Sequence, residues 1–140
     1  MTSSATYTVL LYSHDAAVRD RMRTAVGRRP TSDIRVEYLE AASVTEVLRL
    51  VDEYEIDLML LDGEAQPAGG LGIARQLRDE LDDCPTLCVV LARAADRWLA
   101  AWSRADAVLV HPLDPVRTAE AVADLLTRRS LSAAASPATS

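Results

Sequence analysis

Five short apolar runs alternating with helix-like stretches predict an α/β fold, a doubly wound five-stranded parallel sheet with helices on both faces. Three observations carry this expectation. The alternation is strict along the whole chain. The third run, residues 56–61, is apolar at nearly every position, as a strand covered on both faces must be. And 140 residues make one ordinary domain, long enough to bury a real core.

Each element has its own local reason. Residues 8–12 read as a buried first strand. Asp15 can cap a helix running through Val18, Met22 and Val26, with Gly27 marking its end. Residues 34–38 alternate, as a strand with one wet face should. Ser43 and Glu46 form a capping box that opens a helix with Val44, Val47, Leu48 and Val51 inward. After the central strand, residues 64–70 are a Gly, Ala and Pro-rich loop, followed by a helix carrying Leu71, Ile73, Ala74, Leu77 and Leu81. Residues 86–91 form a fourth strand, 96–104 a short helix and 107–110 a fifth strand. Asp114-Pro115 caps and starts the last helix, with Val116, Ala119, Val122 and Leu126 inward. The folded domain is expected over residues 7–129, with disordered flanks at 1–6 and 130–140.

Composition excludes several classes of function. The net charge is −6 and the chain has no basic stretch of the kind that meets a duplex, so nucleic acid is not an expected partner. No apolar run approaches the roughly 20 residues of a membrane helix. The N-terminus lacks a basic region followed by an apolar stretch, so a cytoplasmic location is expected. All fifteen basic residues are arginine, and any mechanism that needs a lysine is excluded. Cys84 and Cys88, four residues apart on extended chain, would lie roughly 13 Å apart, too far for a disulfide. They are expected to be buried structural thiols. No Gly-x-Gly-x-x-Gly follows a strand, which argues against a dinucleotide site.

In sheets of this kind function gathers where the carboxyl ends of the strands meet the switch in strand order. Those ends carry Ser13-His14-Asp15, Asp62-Gly63-Glu64, Ala92-Arg93 and His111-Pro112. Here the sequence resembles the response-regulator receiver (CheY-like) family over about residues 7–129. The most specific segment is Ile56-Asp57-Leu58-Met59-Leu60-Leu61-Asp62, similar to the family's third strand and its terminal phosphoacceptor aspartate. Gly70-Leu71 lies at the family's distance beyond that aspartate, whereas Pro67 sits one position late, implying a remodelled loop. His111-Pro112-Leu113-Asp114 resembles the Lys-Pro-Phe-x stretch after the fifth strand, including a proline often preceded by a cis bond. The resemblance implies strand order 2-1-3-4-5, a role in two-component (phosphorelay) signalling, and Asp62 as the candidate phosphoacceptor.

The departures from the family pattern shape the functional expectation. Ser13 and His14 stand where the family has the acidic pair that holds Mg²⁺, leaving Asp15 as the only carboxylate there. Ala92, or Leu91 given the short loop, falls where the family has the Thr or Ser that touches the phosphoryl oxygens, His111 replaces the lysine, and Val108 occupies the aromatic switch position. Phosphoryl transfer relies on metal and cationic groups to absorb developing negative charge. No cofactor is therefore expected, with Asp15 and Asp62 only weak candidate ligands for Mg²⁺. The domain reads as an atypical stand-alone receiver, not an enzyme beyond weak self-phosphorylation and dephosphorylation at Asp62, acting as a protein-interaction module. Two alternatives stay open. One is a conventional phosphoacceptor served by a sensor histidine kinase. The other is a metal- or pH-responsive sensor built on His14 and His111 beside Asp62, with Asp15 and Glu64 nearby, whose negative potential raises the His111 pKa.

Trp98 and Trp102 lie four apart on the fourth helix and so on one stripe. The family alignment turns Trp98 inward and leaves Trp102 at the surface. Trp102 and Val108 are accordingly the expected partner contacts, on a face made of the fourth helix, fifth strand and fifth helix.

Overall fold

The computed structural model describes residues 5–65 and 69–135. Strands β1 (Ala5–Tyr12), β2 (Ile34–Ala41), β3 (Leu58–Asp62), β4 (Thr86–Leu91) and β5 (Ala107–Val110) form one parallel sheet in the order β2-β1-β3-β4-β5. Helices α1 (Ala16–Val26), α2 (Val44–Glu53), α3 (Gly70–Glu80), α4 (Trp98–Ser103) and α5 (Pro115–Ala135) connect or follow the strands. Among the described residues no helix is long and apolar enough to cross a membrane.

Strand alternation sends each β3 neighbour to a different layer. Leu58 and Leu60 pack with Val9, Leu11, Met22, Val122 and Leu126 under α1 and α5. Met59 and Leu61 pack with Leu10, Val47, Ile73, Leu77 and Val89 under α2 and α3. All five β3 residues are buried, the reason the segment reads as a continuous apolar run.

The expected caps form. The Asp15 carboxylate accepts the Ala17 N–H at 2.9 Å, and Gly27 ends α1 at φ 78°, where a side chain would be strained. Ser43 Oγ accepts the Glu46 N–H at 3.2 Å, while Glu46 reaches back to the Ala42 N–H at 3.1 Å. Asp114 accepts the Arg117 N–H at 3.1 Å.

Several boundaries differ from expectation, among them the end of β2 at Ala41 and β3 over Leu58–Asp62. Ala5 and Thr6 are strand, paired with Ile34 and Arg35, because β2 offers an open ladder that far. Residues 130–135 continue α5 instead of forming a tail: once a helix is nucleated each added residue gains one bond, and alanine is the best helix former. The fourth helix is shorter than residues 96–104, since a 3₁₀ turn at Ala94–Asp96 takes up its start. Residues 1–4, Pro67 with its neighbours 66 and 68, and residues 136–140 lie outside the described residues, so the expectations placed on them rest on sequence alone.

Candidate functional site

Four loops converge beyond the carboxyl ends of β1, β3, β4 and β5, and Asp62 sits at their centre as the last residue of β3. It is only 4% exposed. Two glycines let the surrounding backbone close around it. A Cβ on Gly70 would lie 2.8 Å from the Asp62 carbonyl oxygen, and one on Gly63 would lie 2.9 Å from Leu91 Cδ2. The Gly70 that the sequence placed at the start of α3 is thus required by contact with the end of β3.

Both carboxylate oxygens of Asp62 have donors. Ser13, fully buried, donates from Oγ to Oδ2 at 2.7 Å. The Glu64 N–H donates to Oδ1 at 2.9 Å. Ser13 Oγ in turn accepts the Asp15 N–H at 3.1 Å, and its carbonyl accepts from Arg19 Nη1 at 2.5 Å. Arg19 is held by Glu40 of β2 at 2.9 Å, and Glu40 also pairs with Arg23. A chain of bonds therefore runs from β2 through α1 to the serine that touches Asp62. Tyr12, one residue before Ser13, is buried, and its phenol is pushed above the ordinary value by burial and, secondarily, by the Asp62 charge.

The other predicted residues divide. Asp15 and Glu64 are exposed, and the Asp15 carboxylate is committed to capping α1. His14 is exposed at the loop tip. His111 is partly buried, its backbone N–H bonded to the Leu91 carbonyl at 2.9 Å, and the His111–Pro112 bond is cis. Ala92, His111 and Pro112 line a groove with Ala17, Arg21 and Thr24 of α1. The expected rise in the His111 pKa is overturned. Burial lowers it, the Asp62 charge opposes, Arg21 lowers it further and Glu64 raises it, with a net value below 6.5. Arg19 and Arg21 went unnoticed in the sequence, although a lysine-free chain must place arginine wherever a cation is wanted.

This donor set does not fit Mg²⁺, which takes an octahedral oxygen shell with one or two carboxylates. Asp62 is the one buried carboxylate of the cluster, and both its oxygens already accept hydrogen bonds. Among the described residues no three His, Cys, Asp or Glu side chains converge. The cysteines are free thiols, and burial pushes Cys88 up to about 12, consistent with structural packing.

On the α4 surface the expectation for Trp98 is wrong. Trp98 is 69% exposed and Trp102 50%. The residue that α4 buries is Ser103, and a 3₁₀ turn precedes the helix. Val108 is half-buried against the core.

No family model matches the chain. It is 45% identical over 125 residues to an uncharacterized response regulatory protein of Mycobacterium tuberculosis, found in two strains, covering 89% of this chain and 94% of the relative. Its fold is similar to a CheY-like receiver domain protein of Methanospirillum hungatei (TM-score 0.71, 18% identity, 91% of this chain and 99% of the other). It is also similar to the signal receiver domain of an HD domain-containing protein of Pseudomonas fluorescens (TM-score 0.76, 16% identity, 96% and 97%). The chain belongs to the response-regulator family, as a CheY-like receiver domain of two-component signalling.

Proposed function

We propose that this receiver signals chiefly by binding a protein partner, with weak or no Mg²⁺-dependent phosphorylation of Asp62. The observation that carries the reading is the closed hydrogen-bond set on Asp62. A phosphoacceptor must offer one carboxylate oxygen to phosphorus and, in this family's chemistry, the other to a metal. Here Ser13 Oγ–H and Glu64 N–H engage both. The replaced lysine points the same way. Burial lowers the His111 pKa, so it does not supply the permanent positive charge that a lysine would offer a transferring phosphoryl group. Ala92 has no hydroxyl to donate, and Val108 cannot swing as an aromatic would.

Signalling by binding needs an accessible face. The exposed indole of Trp102 on α4 supports a contact centred on the fourth helix. The test is intact mass and a two-dimensional amide spectrum of the protein with and without a small phosphodonor plus Mg²⁺. The expected result is little or no added phosphoryl mass and an unchanged spectrum. Stable labelling of Asp62, with shifts spreading to α4, would make the domain a conventional phosphoacceptor.

A further inference from the structure

Trp98 and Trp102 stand one turn apart on α4, both exposed, and Trp102 is the one that meets α3. Arg75 of α3 places its guanidinium 5.1 Å from the Trp102 ring centroid and donates from Nη1 to the Trp102 carbonyl at 2.7 Å. Arg104, just past α4, pairs with Asp79 of α3 at 2.5 Å. Arg78 of α3 bonds the Arg104 carbonyl at 3.2 Å and Asp106 at 2.5 Å. These bonds fix α4 against α3, so a partner meets a surface already ordered, which reduces the entropy lost on binding.

The seam is basic in an acidic chain. The whole protein carries −6. Arg93 pairs with Asp96 and Arg104 with Asp79, whereas Arg75 beside Trp102 and Arg97 just before Trp98 are in no ion pair among the described residues. Arg78 and Asp106 balance each other. Arg75 is directed at a ring and a carbonyl, so its charge remains available to an incoming carboxylate. Large exposed aromatics beside arginine form the kind of patch that anchors interfaces.

We infer that the α3–α4 seam is the docking surface for an acidic protein segment that lays an apolar side chain on the Trp98–Trp102 stripe and sets carboxylates against Arg75 and Arg97. This rests on the binding-module reading above, and it moves the contact from the face shared with β5 and α5 to the seam with α3. Asp79 and Asp96, interleaved with the arginines, favour a segment whose charges are placed one by one over a uniformly anionic lipid surface.

The test is a selection of a displayed random-peptide library on the full chain, followed by affinity measurement of the winners on variants. The expected winners are rich in Asp and Glu around one apolar anchor, and they bind about tenfold or more weakly to Trp98→Ala/Trp102→Ala and to Arg75→Gln/Arg97→Gln. The second pair keeps the indoles and so separates charge from packing. Winners without acidic character, winners whose binding neither pair diminishes, or no winners at all overturn the proposal. So does a seam that binds phosphatidylglycerol vesicles but no peptide, or one that is covered in self-association by sedimentation. Winners undiminished by either pair remove this surface while the binding-module reading stands, because phosphodonor labelling is read separately on the same protein.

Discussion

Leu60 and Asp62 are two residues apart on β3, both buried, yet their neighbourhoods have been held to different standards. Leu60 is paired through the ladder with Leu11 and Cys88 and packed under α1 and α5 by Met22, Val122 and Leu126. Every one of these contacts is what a receiver sheet needs to exist. Asp62 is met by residues that begin where strands end: the Ser13 hydroxyl after β1, the Glu64 N–H after β3, and His111 after β5. Those positions follow the strands instead of forming the ladder, so they can change while the sheet persists. On the reading proposed above, this difference lets a chain keep the architecture without the acidic pair, the hydroxyl and the lysine of the usual site.

The largest effect should come from breaking the first neighbourhood. Leu60→Ala should cost about 2–5 kcal/mol, the transfer term plus the cavity left in a sealed layer. Chemical denaturation measures it, and a loss below about 1 kcal/mol would mean that β3 is not packed as described. Removing the hydroxyl at the second neighbourhood should matter less. Ser13→Ala leaves Asp62 Oδ2 buried without its donor, at a cost of about 1–3 kcal/mol. If the variant matches the parent in stability, Ser13 does not hold Asp62.

A third test sharpens the electrostatics. A histidine whose folded pKa lies below its unfolded value near 6.5 is charged less readily in the native state. Its contribution to stability is fully present above about pH 6.5 and is lost as pH falls through the folded pKa. NMR titration should place His111 below 6.5. Asp62→Asn should lower it further by removing a charge that opposes the shift, and Arg21→Gln should raise it. A His111 pKa above 6.5 would show that the neighbouring acids outweigh burial.

The smallest effects belong to the α4 surface. Trp102→Ala should cost about 0.5–1 kcal/mol through the lost Arg75 contact. Trp98→Ala should stay within about 0.5 kcal/mol, as surface changes usually do. A loss of several kcal/mol at Trp98 would return that indole to the core.

The sheet was readable in advance because period and apolarity are local signals. The buried run ending at Asp62, the caps at Asp15 and Ser43 and the Gly27 stop are visible without any neighbour. The fold's resemblance also brought Ser13, Asp62 and His111 to one place. What one dimension does not carry is direction and balance. Spacing of four put Trp98 and Trp102 on one stripe, but not which way that stripe faces, and both indoles are exposed. The acids around His111 could be counted, while its burial and Arg21 could not, so the sign came out reversed. The run of small residues after Arg129 looked like a tail, although alanine extends a helix as readily as it ends a domain.

The most direct test of the account is restoration. Ser13→Asp, His14→Asp, Ala92→Thr and His111→Lys together return the missing chemical groups to the loops without touching the strands. Parent and variant are treated side by side with a small phosphodonor and Mg²⁺ and read by intact mass. The account predicts phosphoryl mass on Asp62 in the variant and little or none in the parent. A parent labelled as fully and as stably as the variant would contradict it, since the substituted loops would then have cost the site nothing.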